Sequence, residues 1–131
     1  MPKKILVIDD DRTNTTLLKA RLEASHFAVV TANDGDVGLE VLKKEKPDLI
    51  ILDVEMPKMN GYTFLTEMKK LDEFKSRPVI VLTAHENMQP IFGLKGVKGY
   101  FVKPLKIEPL LEKIVQCIGP AQPSEGVAPQ T

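Results

Sequence analysis

Short apolar runs rich in β-branched residues punctuate the chain: Ile5 to Ile8, Leu49 to Leu52, Val79 to Leu82 and the briefer Tyr100 to Val102. A weaker run, Phe27 to Val30, sits between the first two. None alternates polar with apolar residues, and continuous runs of this length suit strands covered on both faces, as in a parallel sheet. Between the runs the apolar spacing turns helical. Leu18 and Leu22 recur within 16–24, with Lys19 and Glu23 on another face. Val37, Val41 and Leu42 form a second stripe, which stops at Lys46-Pro47 because proline ends a helix. Phe64, Leu65 and Met68 mark a third. Leu110, Leu111, Ile114, Val115 and Ile118 mark the last, with Pro109 near its start and Gly119-Pro120 closing it. The segment 84–98 is the poorest of the set. Pro90, Gly93 and Gly96 weaken it, and Ile91, Phe92, Leu94 and Val97 remain to pin it down. It predicts a short or irregular fourth helix starting at or near Pro90. Strand–helix alternation predicts an α/β fold with right-handed crossovers.

Composition narrows the class without changing this picture. The 131 residues fit one domain. Eighteen basic residues balance 18 acidic ones, which argues against nucleic-acid binding driven by overall charge. The single cysteine, Cys117, can form neither an internal disulfide nor a thiolate metal cage; beside core positions it reads as packing. No apolar run approaches the roughly 18 residues of a membrane span. The apolar stretch after Lys4 runs into three aspartates with no cleavage site, so it is not a signal peptide. The expectation is a cytoplasmic protein that binds neither nucleic acid nor membrane directly. Residues 1–118 form the domain, and 119–131, without apolar periodicity, read as a flexible tail or the start of a linker.

Polar residues of a particular kind follow the apolar runs: Asp9-Asp10-Asp11, then Asp53, Thr83 and Lys103. In a parallel sheet these points share one edge, the crevice where ligands of open α/β sheets bind. Two carboxylates about 5 Å apart repel by roughly 3 kcal/mol at an effective dielectric of 20, and a bound cation is the usual relief. Carboxylates without His or Cys favour Mg²⁺, which keeps several waters and shares phosphate oxygens. A lysine and a threonine opposite the metal can hold an anion, and phosphate fits that role.

Four stretches, in order at the predicted strand ends, carry a resemblance: Val7 to Asp11, Asp53 to Gly61, Leu82-Thr83-Ala84 and Tyr100 to Pro104. From Lys4 to Ile118 the chain resembles the receiver domain of two-component response regulators, in particular the single-domain chemotaxis type. The resemblance implies a doubly wound five-stranded parallel sheet of flavodoxin-like order 2-1-3-4-5. It implies that Asp53 accepts a phosphoryl group from a histidine kinase or phosphotransfer protein. Mg²⁺ would be held by Asp10, Asp53 and the backbone carbonyl of Glu55, with Asp9 acting largely through water. Thr83, an Ala84 amide and Lys103 would contact the phosphoryl oxygens. Movement of Thr83 would vacate space for Tyr100, and Glu55 and His85 would tune dephosphorylation. Such a domain is not an enzyme acting on a separate substrate; it promotes only its own phosphorylation and dephosphorylation. Its output passes to a downstream protein partner or to an effector domain C-terminal to it.

Plainer readings compete at several positions. Asp11 fits a helix N-cap better than a ligand. His26 reads as a surface residue, and Lys95, Lys98 and Lys106 as a solvated basic face. Asp9-x-Asp11-x-Thr13 also matches the first motif of haloacid-dehalogenase-type phosphatases, with Asp9 as nucleophile. Against that reading, only Glu108 and Glu112 follow Lys103 as acids near enough to complete a metal site, and no strand precedes them. A receiver-like interaction module that is never phosphorylated is the remaining rival.

Overall fold

The computed structural model describes residues 3–53, 61–83, 97–103 and 106–120. Its strands are β1 (Lys4–Ile8), β2 (Ala28–Ala32), β3 (Leu49–Asp53), β4 (Val79–Thr83) and β5 (Val97–Val102). They form one sheet in the order β2-β1-β3-β4-β5, with all pairings parallel. The expected α/β sheet and its order are thus the observed ones. Helices α1 (Arg12–Ala24), α2 (Gly35–Glu45) and α3 (Gly61–Lys69) and a C-terminal helix (Ile107–Ile118) cover it.

Alternation along each strand splits the core into two layers. Ile5, Val7, Leu49, Ile51, Ile80 and Leu82 pack with Leu18 and Leu22 of α1 and Leu110 and Ile114 of the C-terminal helix. Leu6, Ile8, Ile50, Leu52, Val79 and Val81 pack with Leu42 of α2 and Phe64, Leu65 and Met68 of α3. Every residue of β1, β3 and β4 is buried except Lys4, which is partly buried, so the unbroken apolar runs have their cause.

Several boundaries differ from the sequence pattern. Helix α1 begins at Arg12 rather than near Thr16, because Asp11 caps it, its side chain accepting from the amides of Thr13 and Asn14. Helix α1 ends where the amide of Phe27 donates to Leu22 and that of His26 to Glu23, a Schellman arrangement that places His26, exposed, at φ 76°. Strand β5 starts at Val97, three positions before the apolar run at Tyr100. Val37 and Val115 belong to the predicted stripes yet are 38% and 43% exposed, so the buried face of each helix is narrower than its apolar stripe. In α2 the missing contact comes from Gly38, where a Cβ would stand 2.7 Å from Ile8 Cδ1 and 3.3 Å from Phe64 Cε1. The absent side chain lets the helix lie close against β1. Phe74, in the connection after α3, is buried although no periodicity marks it. The expected fourth helix around Pro90, with Lys95, and the tail from 121 onward lie outside the described residues.

Candidate functional site

Strand order reverses about β1 and β3, so their carboxyl ends open a crevice. Asp53 is the last residue of β3, and Asp9 follows β1, tied to the neighbouring strand by its amide, which donates to Ala32 at 3.1 Å. Both are buried, at 2% and 1% exposure, whereas Asp10 faces solvent. One carboxylate oxygen from each of Asp9, Asp10 and Asp53 lies within 4.8 Å of the others.

Lys103 is brought to this cluster by the sheet. Its amide donates to the carbonyl of Thr83 at 2.8 Å, extending the β4–β5 ladder by one residue. Its ammonium then reaches Asp53 Oδ2 at 3.1 Å and Asp9 Oδ2 at 3.3 Å. Burial works against that charge, but the hydrogen bond to Asp53 and the negative charges of Asp9 and Asp53 outweigh it and hold the ammonium above its ordinary pKa. In the strand alternation Asp9, Asp53 and Lys103 follow Val7, Ile51 and Phe101, all on the layer of α1 and the C-terminal helix. Thr83 follows Val81 on the opposite layer, where Tyr100, the register partner of Val81, also packs. Thr83 and Tyr100 thus share one sheet face, on adjacent strands.

The donor set suits a hard divalent cation. Among the described residues three carboxylates meet one ammonium with no sulfur or imidazole in the cluster, and Asp10 is exposed to water. Asp11, by contrast, is occupied as a cap, its Oδ1 accepting at 3.0 Å from Thr13 and 3.2 Å from Asn14. It is not poised as an acid beside Asp9. The expected contributions of Glu55, Ala84 and His85 lie outside the described residues. Asn14 was not foreseen: its Nδ2 donates to Asp9 Oδ2 at 2.6 Å. The available signal was its place, three residues after a capping Asp in the helix that follows the acidic pair.

A groove of about 630 Å³ opens beside Lys103 between α1 and the C-terminal helix, lined by Leu17, Arg21, Lys106 and Ile107 among others. Leu17 is 59% exposed there.

The family model of the response regulator receiver domain matches residues 5–115. The alkaline phosphatase synthesis transcriptional regulatory protein PhoP of Bacillus subtilis is 41% identical over 106 residues, 79% of this chain and 43% of that protein. The chain spans about half the length of the curated relatives it matches. Chemotaxis protein CheY4 of Vibrio cholerae superposes with a TM-score of 0.84 at 28% identity, covering 90% of this chain and 100% of that one. The receiver domain of a Pseudomonas aeruginosa sensor histidine kinase, with a magnesium ion coordinated in its active site cleft, gives 0.83 at 25% identity, over 91% of this chain and 99% of that one.

Proposed function

The chain belongs to the response regulator receiver family, and from that premise we propose that Asp53 is its phosphoacceptor and that Asp9, Asp10 and Asp53 hold Mg²⁺. The observation that carries this reading is Lys103, its ammonium set between the buried carboxylates of Asp9 and Asp53 at the ends of β1 and β3. Among the described residues Asp53 is the carboxylate nearest that ammonium, and so the one where new negative charge on a transferred group meets a fixed positive partner.

Transfer then proceeds as an in-line displacement. An Asp53 oxygen forms a bond to phosphorus as the P–N bond to a donor histidine breaks, and the imidazole nitrogen keeps the electron pair. Mg²⁺ held by Asp9, Asp10 and Asp53 would supply positive charge for the phosphoryl oxygens. Lys103 shifts from the carboxylates toward those oxygens. Thr83 supplies a hydroxyl from the opposite layer, and Tyr100, on the same face, follows its movement. The resemblance adds the Glu55 carbonyl to the metal ligands, the Ala84 amide to the phosphoryl contacts, and Glu55 and His85 to the control of hydrolysis. The phosphodonor, a histidine kinase or phosphotransfer protein, reaches Asp53 over the α1 side, where exposed Leu17 lines a groove that Lys103 also lines. The output is a changed protein-binding surface or an attached effector domain, and the domain works in the cytoplasm without turning over a separate substrate.

Intact mass after treatment with acetyl phosphate and Mg²⁺ tests the assignment. One phosphoryl group is expected on the wild type and none on Asp53→Asn. A label retained by Asp53→Asn but lost with Asp9→Asn would transfer the nucleophile to Asp9 and favour the phosphatase reading. No label on either protein would leave the interaction module.

A further inference from the structure

Asp9 carries a buried carboxylate whose hydrogen bonds come largely from a single short segment. The Asp11 amide donates to its Oδ1 at 2.9 Å, and the Asn14 side chain to its Oδ2 at 2.6 Å. Two donors on two different oxygens fix the plane of the carboxylate, which a single donor would leave free to turn. Because an ionised carboxylate only accepts, the nitrogen end of the Asn14 amide must face it. Lys103 reaches the same Oδ2, at 3.3 Å, farther than Asn14 and farther than its own 3.1 Å contact with Asp53. The ammonium is thus the second donor to that oxygen.

This geometry points to Asn14 as a positioning residue that orients Asp9 toward the metal independently of Lys103; the inference rests on the metal-binding reading above. At 1% exposure, Asp9 has almost no water to replace a lost partner. If Lys103 were its only donor at Oδ2, movement of that lysine to a phosphoryl group would strip the oxygen and free the carboxylate to rotate. A neutral amide prevents this without adding a charge that would compete with the cation. Asn14 is itself held: its backbone amide is tied to the cap residue Asp11 at 3.2 Å, so the first turn of α1 sets the reach of the side chain. Partners of this kind orient metal ligands, and their loss commonly costs about 10–100-fold in metal affinity.

The test is a double-mutant cycle read by calorimetric Mg²⁺ titration of the full chain, with wild type, Asn14→Leu, Asp9→Asn and the double variant. Leucine keeps the volume and removes the donor. Asn14→Leu is expected to weaken Mg²⁺ binding roughly tenfold in the wild-type background and less than about twofold in Asp9→Asn. Asn14→Gln, which keeps the amide, is expected to recover most of the affinity. Unchanged affinity in Asn14→Leu, or an equal loss in both backgrounds, overturns the role, since a general disturbance of α1 does not depend on the Asp9 charge. So does a wild type that takes up no Mg²⁺, which overturns the metal reading as well. Coupled Mg²⁺ binding in a protein that acetyl phosphate fails to label leaves Asn14 in place and removes the phosphoacceptor assignment instead.

Discussion

Lys103 Nζ stands 3.1 Å from Asp53 Oδ2, across 50 positions of sequence. The contact depends on three separate features of the fold: β3 ending on Asp53, the Thr83 carbonyl holding the Lys103 amide, and the parallel register that aligns both strand ends. Among the described residues it brings a single ammonium to a cluster of three carboxylates, an excess of negative charge.

That imbalance predicts opposite signs for two substitutions in metal-free buffer. Asp53→Asn removes one of the repelling charges, each pair of which costs about 3 kcal/mol at an effective dielectric of 20 before Lys103 offsets it. The expected gain is about 1–2 kcal/mol, or roughly 4–8 °C in melting temperature. Lys103→Met removes the compensating charge and should lower the melting temperature by a similar amount. Mg²⁺ should then stabilise Lys103→Met more than wild type, and Asp53→Asn less. Thermal melts with and without chelator check all three; equal magnesium shifts in the three proteins would contradict the charge argument.

Packing behind the site gives a second expectation. A Cβ at position 38 would lie 2.7 Å from Ile8 Cδ1 and 3.2 Å from Ile8 Cγ1, and Ile8 is fully buried immediately before Asp9. Overpacking of this kind costs about 1–3 kcal/mol. Against it stands about 1 kcal/mol of improved helix propensity for alanine over glycine. Gly38→Ala should therefore lose about 1 kcal/mol net, and Ile8→Val in the same chain should restore part of it. Chemical denaturation of the single and double variants measures the pair; a stabilised Gly38→Ala would show that the core gives way without cost.

Much of the fold and site is legible in the sequence because parallel strands buried on both faces write themselves as unbroken apolar runs. The residue after each run falls at the ligand edge, so Asp9, Asp53, Thr83 and Lys103 could be placed together from order alone. The width of the buried helical face was not legible. Val37 and Val115 satisfy the period, but how far each helix turns from the sheet is set by contacts such as Gly38 against Ile8. Asn14 was also hidden, since its role depends on a side-chain reach that only the capped first turn of α1 defines.

Cys117 supplies a pH-dependent expectation. It is half-buried on the C-terminal helix, and burial, working against the nearby charges of Lys113 and Lys98, raises its thiol pKa. The reactive thiolate is therefore scarce at neutral pH and appears only at more alkaline pH than in the unfolded chain. Alkylation by iodoacetamide near pH 8 should be at least several-fold slower in the native protein than in denaturant. The ratio should narrow as pH rises further. Equal native and denatured rates would mean that Cys117 is as accessible as an unfolded thiol.

The last expectation separates two acids that stand side by side. Asp9 and Asp11 differ by two positions, yet one is buried among donors at the strand ends and the other is exposed and caps α1. Loss of an N-cap costs about 0.5–2 kcal/mol, while serine at the same place keeps an oxygen for the helix amides. Asp11→Ala should therefore be destabilised by about 1 kcal/mol and Asp11→Ser by much less. Both should take up a phosphoryl group from acetyl phosphate at rates within about twofold of wild type once Mg²⁺ is saturating, because both keep the main-chain amide of residue 11 that donates to Asp9, and saturating metal offsets the looser hold that Asp11→Ala leaves on Asn14. Had Asp11 served as the acid of a phosphatase-type site, both variants would lose activity together, and the serine cap would rescue stability without chemistry. Melting temperature and labelling rate, measured on the same two proteins, tell these outcomes apart.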